Sequence, residues 1–90
     1  MTETRETKIK RLRMRSMRRG IKEMDLILQA FADENLDGFS GDALDLYDAL
    51  LSENDHDIYG WIGGQFPVPE RYLELVTQIA AGAQGVTKPQ

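Results

Sequence analysis

Ninety residues at 41% apolar and 29% charged make one small folded domain rather than a disordered chain. The absence of cysteine excludes disulfides and thiolate metal sites, and no apolar run approaches the roughly 20 residues of a membrane span. The net charge of −4 conceals a polarity: residues 1–22 hold nine Lys/Arg and two Glu, whereas residues 23–90 hold two Lys/Arg and thirteen Asp/Glu. A basic arm on an acidic body predicts a dipole that orients the molecule on a partner. The arm has no apolar h-region of a secretory signal, and Glu3 and Glu6 argue against an organellar transit peptide.

In chain order, residues 1–7 read as a frayed basic N-terminus. Helix formers from Thr7 to Arg19, with Ile9, Leu12 and Met17 as sparse apolar points, predict a short helix stopped by Gly20. A second helix over about Ile21 to Asn35 presents Ile21, Met24, Ile27, Leu28 and Phe31 on one face, with Glu23 in its first turn. Asp37-Gly38 signals a turn, and Ser40 is a good N-cap. The third helix, about Gly41 to Glu53, carries Ala43, Leu44, Tyr47, Leu50 and Leu51. The fourth, about Asp55 to Ile62, carries Ile58, Tyr59, Trp61 and Ile62, and Gly63-Gly64 stops it. Pro69 suits the first turn of a last helix with Tyr72, Leu73, Val76, Ile79 and Ala80. From Gly82 on, small and polar residues read as a flexible tail over 82–90. No stretch alternates with period two, so the fold class is all-α: a compact four- or five-helix single-domain bundle over residues 8–81.

Few constellations carry chemistry. Asp33-Glu34-Asn35-Leu36-Asp37-Gly38 matches the first half of an EF-hand loop, but position twelve, which should be a bidentate Glu, is Leu44. His56 between Asp55 and Asp57 has no second His to share a metal and reads as a first-turn residue. No nucleophile–base set and no phosphate loop is legible. The cations of the arm could neutralise phosphates, but the acidic body repels a polyanion and the arm has no aromatic to stack on bases. A calcium-binding helical module and a small nucleic-acid-binding regulator are thus the alternatives. Trp61, with Tyr59 and Phe66, reads as core anchoring or as an aromatic edge that also meets a partner.

The six residues Arg18-Arg19-Gly20-Ile21-Lys22-Glu23 offer little to bury and sit where arm meets body. Arg19-Gly20-x-x-Glu23, followed by Asp25, resembles the Arg-Gly-x-x-Glu motif of the FAD assembly factors of succinate dehydrogenase, the bacterial SdhE proteins and their mitochondrial counterparts. Asp55-x-Asp57-Ile58-Tyr59-x-Trp61-Ile62 is similar to that family's Asp-x-Asp-Leu-(Tyr/Phe)-x-Trp-Leu segment, and the order of elements agrees from about Lys8 to Ala81. His56 departs from a frequent Pro, and Met17 from a more polar or aromatic residue.

The resemblance implies a five-helix monomer that is not an enzyme but an assembly chaperone. Its partner would be the flavoprotein subunit of succinate dehydrogenase, with that of fumarate reductase as a second client. It would promote covalent attachment of FAD to a histidine of that subunit, so it needs no cofactor of its own, no nucleic acid and no membrane insertion. The implied compartment is the bacterial cytoplasm or, in a eukaryote, the mitochondrial matrix. Partner-binding residues would be Arg18, Arg19, Gly20, Glu23, Asp25, Tyr59 and Trp61. Gly20 would permit close backbone approach, and Arg19 would offer a planar donor fork. Glu23 would either accept from a partner donor or brace Arg19.

Overall fold

Thr4 starts the first helix: its hydroxyl accepts from the Thr7 amide at 3.1 Å. The computed structural model describes residues 3–87, with side chains through Ala83, so residues 1–2 of the expected N-terminus and 88–90 of the expected tail lie outside it. Five α-helices follow in order: α1 Arg5–Arg15, α2 Lys22–Asn35, α3 Gly41–Leu51, α4 Asp55–Ile62 and α5 Leu73–Thr87. Short 3-10 turns at Leu36–Gly38 and Glu70–Tyr72 join α2 to α3 and lead into α5. There is no strand among the described residues, and the all-α reading holds.

The caps are local chemistry. Ser40 accepts from the Ala43 amide at 3.1 Å to open α3, and Asn54 accepts from the His56 amide at 2.8 Å to open α4. Helix α2 packs along α5, α1 contacts α2 and α3, and α4 rests on α5. The shared core joins Leu12 of α1, Met24, Leu28 and Phe31 of α2, Leu44, Tyr47 and Leu50 of α3, Ile58 of α4 and Val76 and Ile79 of α5.

Three boundaries differ from expectation. Helix α1 begins at Arg5, inside the stretch 1–7 that reads as frayed, because Thr4 caps it. Helix α1 ends at Arg15, four residues short of Arg19, and the chain reverses through Ser16–Ile21. The left-handed residue of that connection is Arg18, at φ 55°, and not Gly20. Ser16 is completely buried and gives its hydroxyl proton to the Leu12 carbonyl at 2.8 Å. Its oxygen is then the acceptor for the Tyr47 phenol at 2.6 Å, which ties the end of α1 to α3. Burial pushes the Tyr47 phenol up to about 12, opposed in part by the nearby Arg19 charge. At the other end, α5 runs through Gly82 to Thr87 where the sequence suggested a tail. Ala80, Ala81 and Ala83 are strong helix formers in this stretch, which also carries Gly82 and Gly85, each costing about 1 kcal/mol relative to alanine.

Much of the basic arm's charge is paired on the acidic body, whereas Lys10 and Arg18 stay exposed without a carboxylate partner among the described residues. Lys8 pairs with Asp45, Arg11 with Glu3 and Asp48, and Arg15 with Asp48. Arg13 reaches Asp37 at 3.2 Å and Asp33 at 3.8 Å. The half EF-hand is therefore the acidic receptor for a guanidinium. Its Asp33 and Asp37 face Arg13, and Leu44 is buried in the core. No group of three or more His, Asp or Glu that could hold a metal occurs among the described residues.

Candidate functional site

The connection between α1 and α2 is short, so its backbone polar groups need partners from elsewhere. The N-terminus of α4 supplies them. One Asp55 carboxylate oxygen accepts from Arg19 Nε at 3.0 Å and from Arg19 Nη2 at 2.7 Å, and the other accepts from the Gly20 amide at 2.8 Å. The rest of the Arg19 fork goes to main chain: Nη1 to the Arg15 carbonyl at 3.0 Å and Nη2 to the Leu51 carbonyl at 2.8 Å. Asp25 accepts from the Arg19 amide. Arg19 thus clasps the ends of α1 and α3 and the start of α4, and its side chain is only 12% exposed. Its donors are turned inward in this structure.

Asp55 works against partial burial, which on its own would raise its pKa. The Gly20 amide and the Arg19 guanidinium more than offset that and hold the carboxyl below its ordinary value. Gly20 fits the same clasp. A Cβ built there would stand 3.1 Å from the Asp55 Oδ2, so the bare backbone is what lets the carboxylate approach. The close approach is internal, whereas the sequence suggested an approach by a partner.

Glu23, in the first turn of α2, is exposed and does not brace Arg19; it accepts the phenol proton of Tyr59 at 2.5 Å. That bond pushes Tyr59 above its ordinary value. Glu23 and Tyr59 edge a groove of about 300 Å³ whose other walls include Ile27, Ile62 and Ala80. Arg18 is exposed beside them in sequence and has neither a hydrogen bond nor an ion pair among the described residues. The structure therefore gathers Arg18, Arg19, Gly20, Glu23, Asp25 and Tyr59 at one junction. Within it Arg19 and Asp25 face inward, while Arg18, Gly20 and Glu23 are on the surface.

Trp61 stands apart from this set. It is half-buried and lies over Tyr72, with ring centroids 5.7 Å apart and planes at 33°, and Tyr72 donates to Glu53 at 2.7 Å. Among the described residues its ring neighbour is therefore Tyr72 and not Tyr59 or Phe66. Phe66 instead folds over Gly60: a Cβ on Gly60 would come within 2.2 Å of the Phe66 ring. The Gln65 and Phe66 amides both reach the Gly60 carbonyl, at 2.8 Å and 3.2 Å.

Sequence reasoning placed Asp55 only at a helix start and gave Gly60 no role. The signal for Asp55 was present in the acidic Asp-x-Asp opening of α4, but its partner lies 36 residues away. A groove of about 600 Å³ between α2 and α5 is lined by residues that include Ile27, Phe31, Glu34, Phe39 and Gln78. No helix among the described residues is long and apolar enough to cross a membrane.

Comparison with known proteins bears on this junction directly. The family model described as flavinator of succinate dehydrogenase matches residues 10–83, from α1 into α5. A protein named succinate dehydrogenase assembly factor 2, mitochondrial, from Meyerozyma guilliermondii is 49% identical over 87 residues, covering 91% of this chain and 64% of that protein. The protein of the same name from Schizosaccharomyces pombe is 41% identical over 70 residues, covering 78% and 50%. Succinate dehydrogenase assembly factor 2-A, mitochondrial, from Drosophila yakuba is 37% identical over 89 residues, covering 92% and 55%. The chain thus spans between 50% and 64% of the length of these three relatives. The matched region contains the whole Arg19–Asp55 clasp and the exposed Glu23 beside it, and the chain belongs to the family of succinate dehydrogenase flavinators.

Proposed function

We propose that this chain is an assembly factor that binds the flavoprotein subunit of succinate dehydrogenase and promotes covalent attachment of FAD to that subunit. The observation that carries the reading is the clasped junction. Asp55 holds the Arg19 side chain with one oxygen and the Gly20 amide with the other, while Arg18, Gly20 and Glu23 lie on the surface. A recognition edge that is already ordered loses little conformational freedom when it docks. Docking then holds a mobile client in one arrangement, and alignment of two reacting groups accelerates a reaction without a new acid or base.

In this reading FAD stays with the client. The chain acts as a monomer in the client's compartment, which the names of the relatives give as mitochondrial. The test is in-gel flavin fluorescence of the flavoprotein subunit made with and without this chain. Covalent flavin should rise when the chain is present, together with an isolable complex of the two proteins. Equal fluorescence with no complex would reject the reading.

A further inference from the structure

Arg18 is the one non-glycine residue with positive φ among the described residues, at 55°. A side chain with a Cβ is strained in that region, and glycine is the residue that tolerates it. The turn itself needs this geometry. It stops α1, reverses the chain and brings the Arg19 guanidinium back under the Arg15 carbonyl. Glycine at position 18 would make the same turn at lower cost, so the arginine side chain is retained for something other than folding.

Nothing inside the fold uses it. Arg11, Arg13, Arg15 and Arg19 each meet a carboxylate, but Arg18 is exposed and has no hydrogen bond or ion pair among the described residues. Two exposed apolar side chains precede it in the chain. Met14 is 67% exposed and Met17 is 38% exposed. They sit three residues apart, and the Met17 amide still bonds the Met14 carbonyl at 3.2 Å, so one turn carries both. Lys10 is exposed one turn before Met14, again without a carboxylate partner among the described residues.

We propose that Arg18, with Met14 and Met17, forms a contact for an acidic patch on the partner protein, carboxylates set beside an apolar surface. The proposal rests on the reading of the chain as a flavoprotein-binding factor and names the chemistry of that encounter. Charge complementarity selects the occupant. The guanidinium fork matches a carboxylate, and methionine side chains adapt to an irregular apolar neighbour. The rest of the body is strongly acidic and repels such a patch, so the partner is steered to this end of α1.

The test exploits the strain. Arg18→Gly in the full chain should raise Tm by a few degrees, because it relieves the left-handed residue, and yet weaken binding to the purified flavoprotein subunit about tenfold. Arg18→Glu should weaken binding further, and binding by the wild type should fall with added salt more steeply than binding by Arg18→Gly. If the wild type binds and both variants bind equally well, the contact is refuted while the assembly role stands. If the wild type itself fails to bind, the assembly role is what fails. Loss of binding to anionic phospholipid vesicles in Arg18→Gly, with flavoprotein affinity unchanged, would assign the patch to a membrane surface and overturn the proposal.

Discussion

At the residue scale, the weight of the junction falls on a carboxylate outside the Arg-Gly-x-x-Glu motif. Asp55 takes three donors from two consecutive residues, and a neutral amide in its place keeps one acceptor but adds an N–H that faces donors. Bonds to a charged group contribute more than neutral ones, though partial exposure limits them here. Asp55→Asn is expected to cost about 1.5 kcal/mol, and a domain of this size loses about 4–8 °C of Tm per kcal/mol. Thermal unfolding checks the loss. The same variant should raise the concentration of factor needed for half-maximal flavinylation while the rate at saturation stays unchanged, because the docking edge is loosened and not removed. Arg19 belongs to the same unit, so an Arg19→Lys, Asp55→Asn double variant should cost much less than the sum of the two singles.

At the element scale, α2, α3 and α4 were legible because each carries its own signals. Ser40 caps, Asp37-Gly38 turns, Gly63-Gly64 stops, and Ile27, Leu28 and Phe31 repeat at helical spacing. The end of α1 was not legible. Gly20 is the usual stop signal, but the chain leaves the helix earlier, at the left-handed Arg18 turn, and its end is held by the buried Ser16 hydroxyl on Tyr47 of another helix. Contacts of that kind have no local trace, and the Arg19–Asp55 clasp is hidden for the same reason. The motif residues were therefore found, but the inward direction of Arg19 was not. Gly60 is a second case, since helix propensity alone favours alanine inside α4. Its hydrogen leaves room for the Phe66 ring, which pins the loop after Gly64 back on α4. Gly60→Ala should displace that ring and cost about 1–3 kcal/mol, as overpacking does. Urea unfolding measures the cost, and faster proteolysis at residues 63–69 would locate it.

At the scale of the whole molecule, folding joins a positive segment to a negative one, so stability must follow the titration of the carboxyls that face the arm. The Arg11 bond holds Asp48 below its ordinary value, partial burial opposes it, and Arg15 adds to the lowering. Asp55 is also lowered, its burial outweighed by Gly20 and Arg19. A carboxyl depressed in the fold binds fewer protons folded than unfolded, so its contribution is complete above the unfolded value of about 3.9 and disappears as pH falls through the lower folded one. Tyr47 acts at the opposite limit. With its phenol raised to about 12, its contribution is complete below the unfolded value of about 10 and is lost between there and about 12. The urea midpoint should therefore be flat from about pH 5 to about pH 9 and fall on both sides. An Asp48→Asn, Asp55→Asn variant should start lower at neutral pH and show a shallower acid limb, with its alkaline limb intact. Tyr47→Phe should make the alkaline limb shallower and leave the acid limb unchanged, because phenylalanine has no proton to lose, while the raised Tyr59 and Tyr72 phenols keep the rest of that limb. An acid limb unchanged in the double variant would mean that the arm is not held on the body by these two carboxylates.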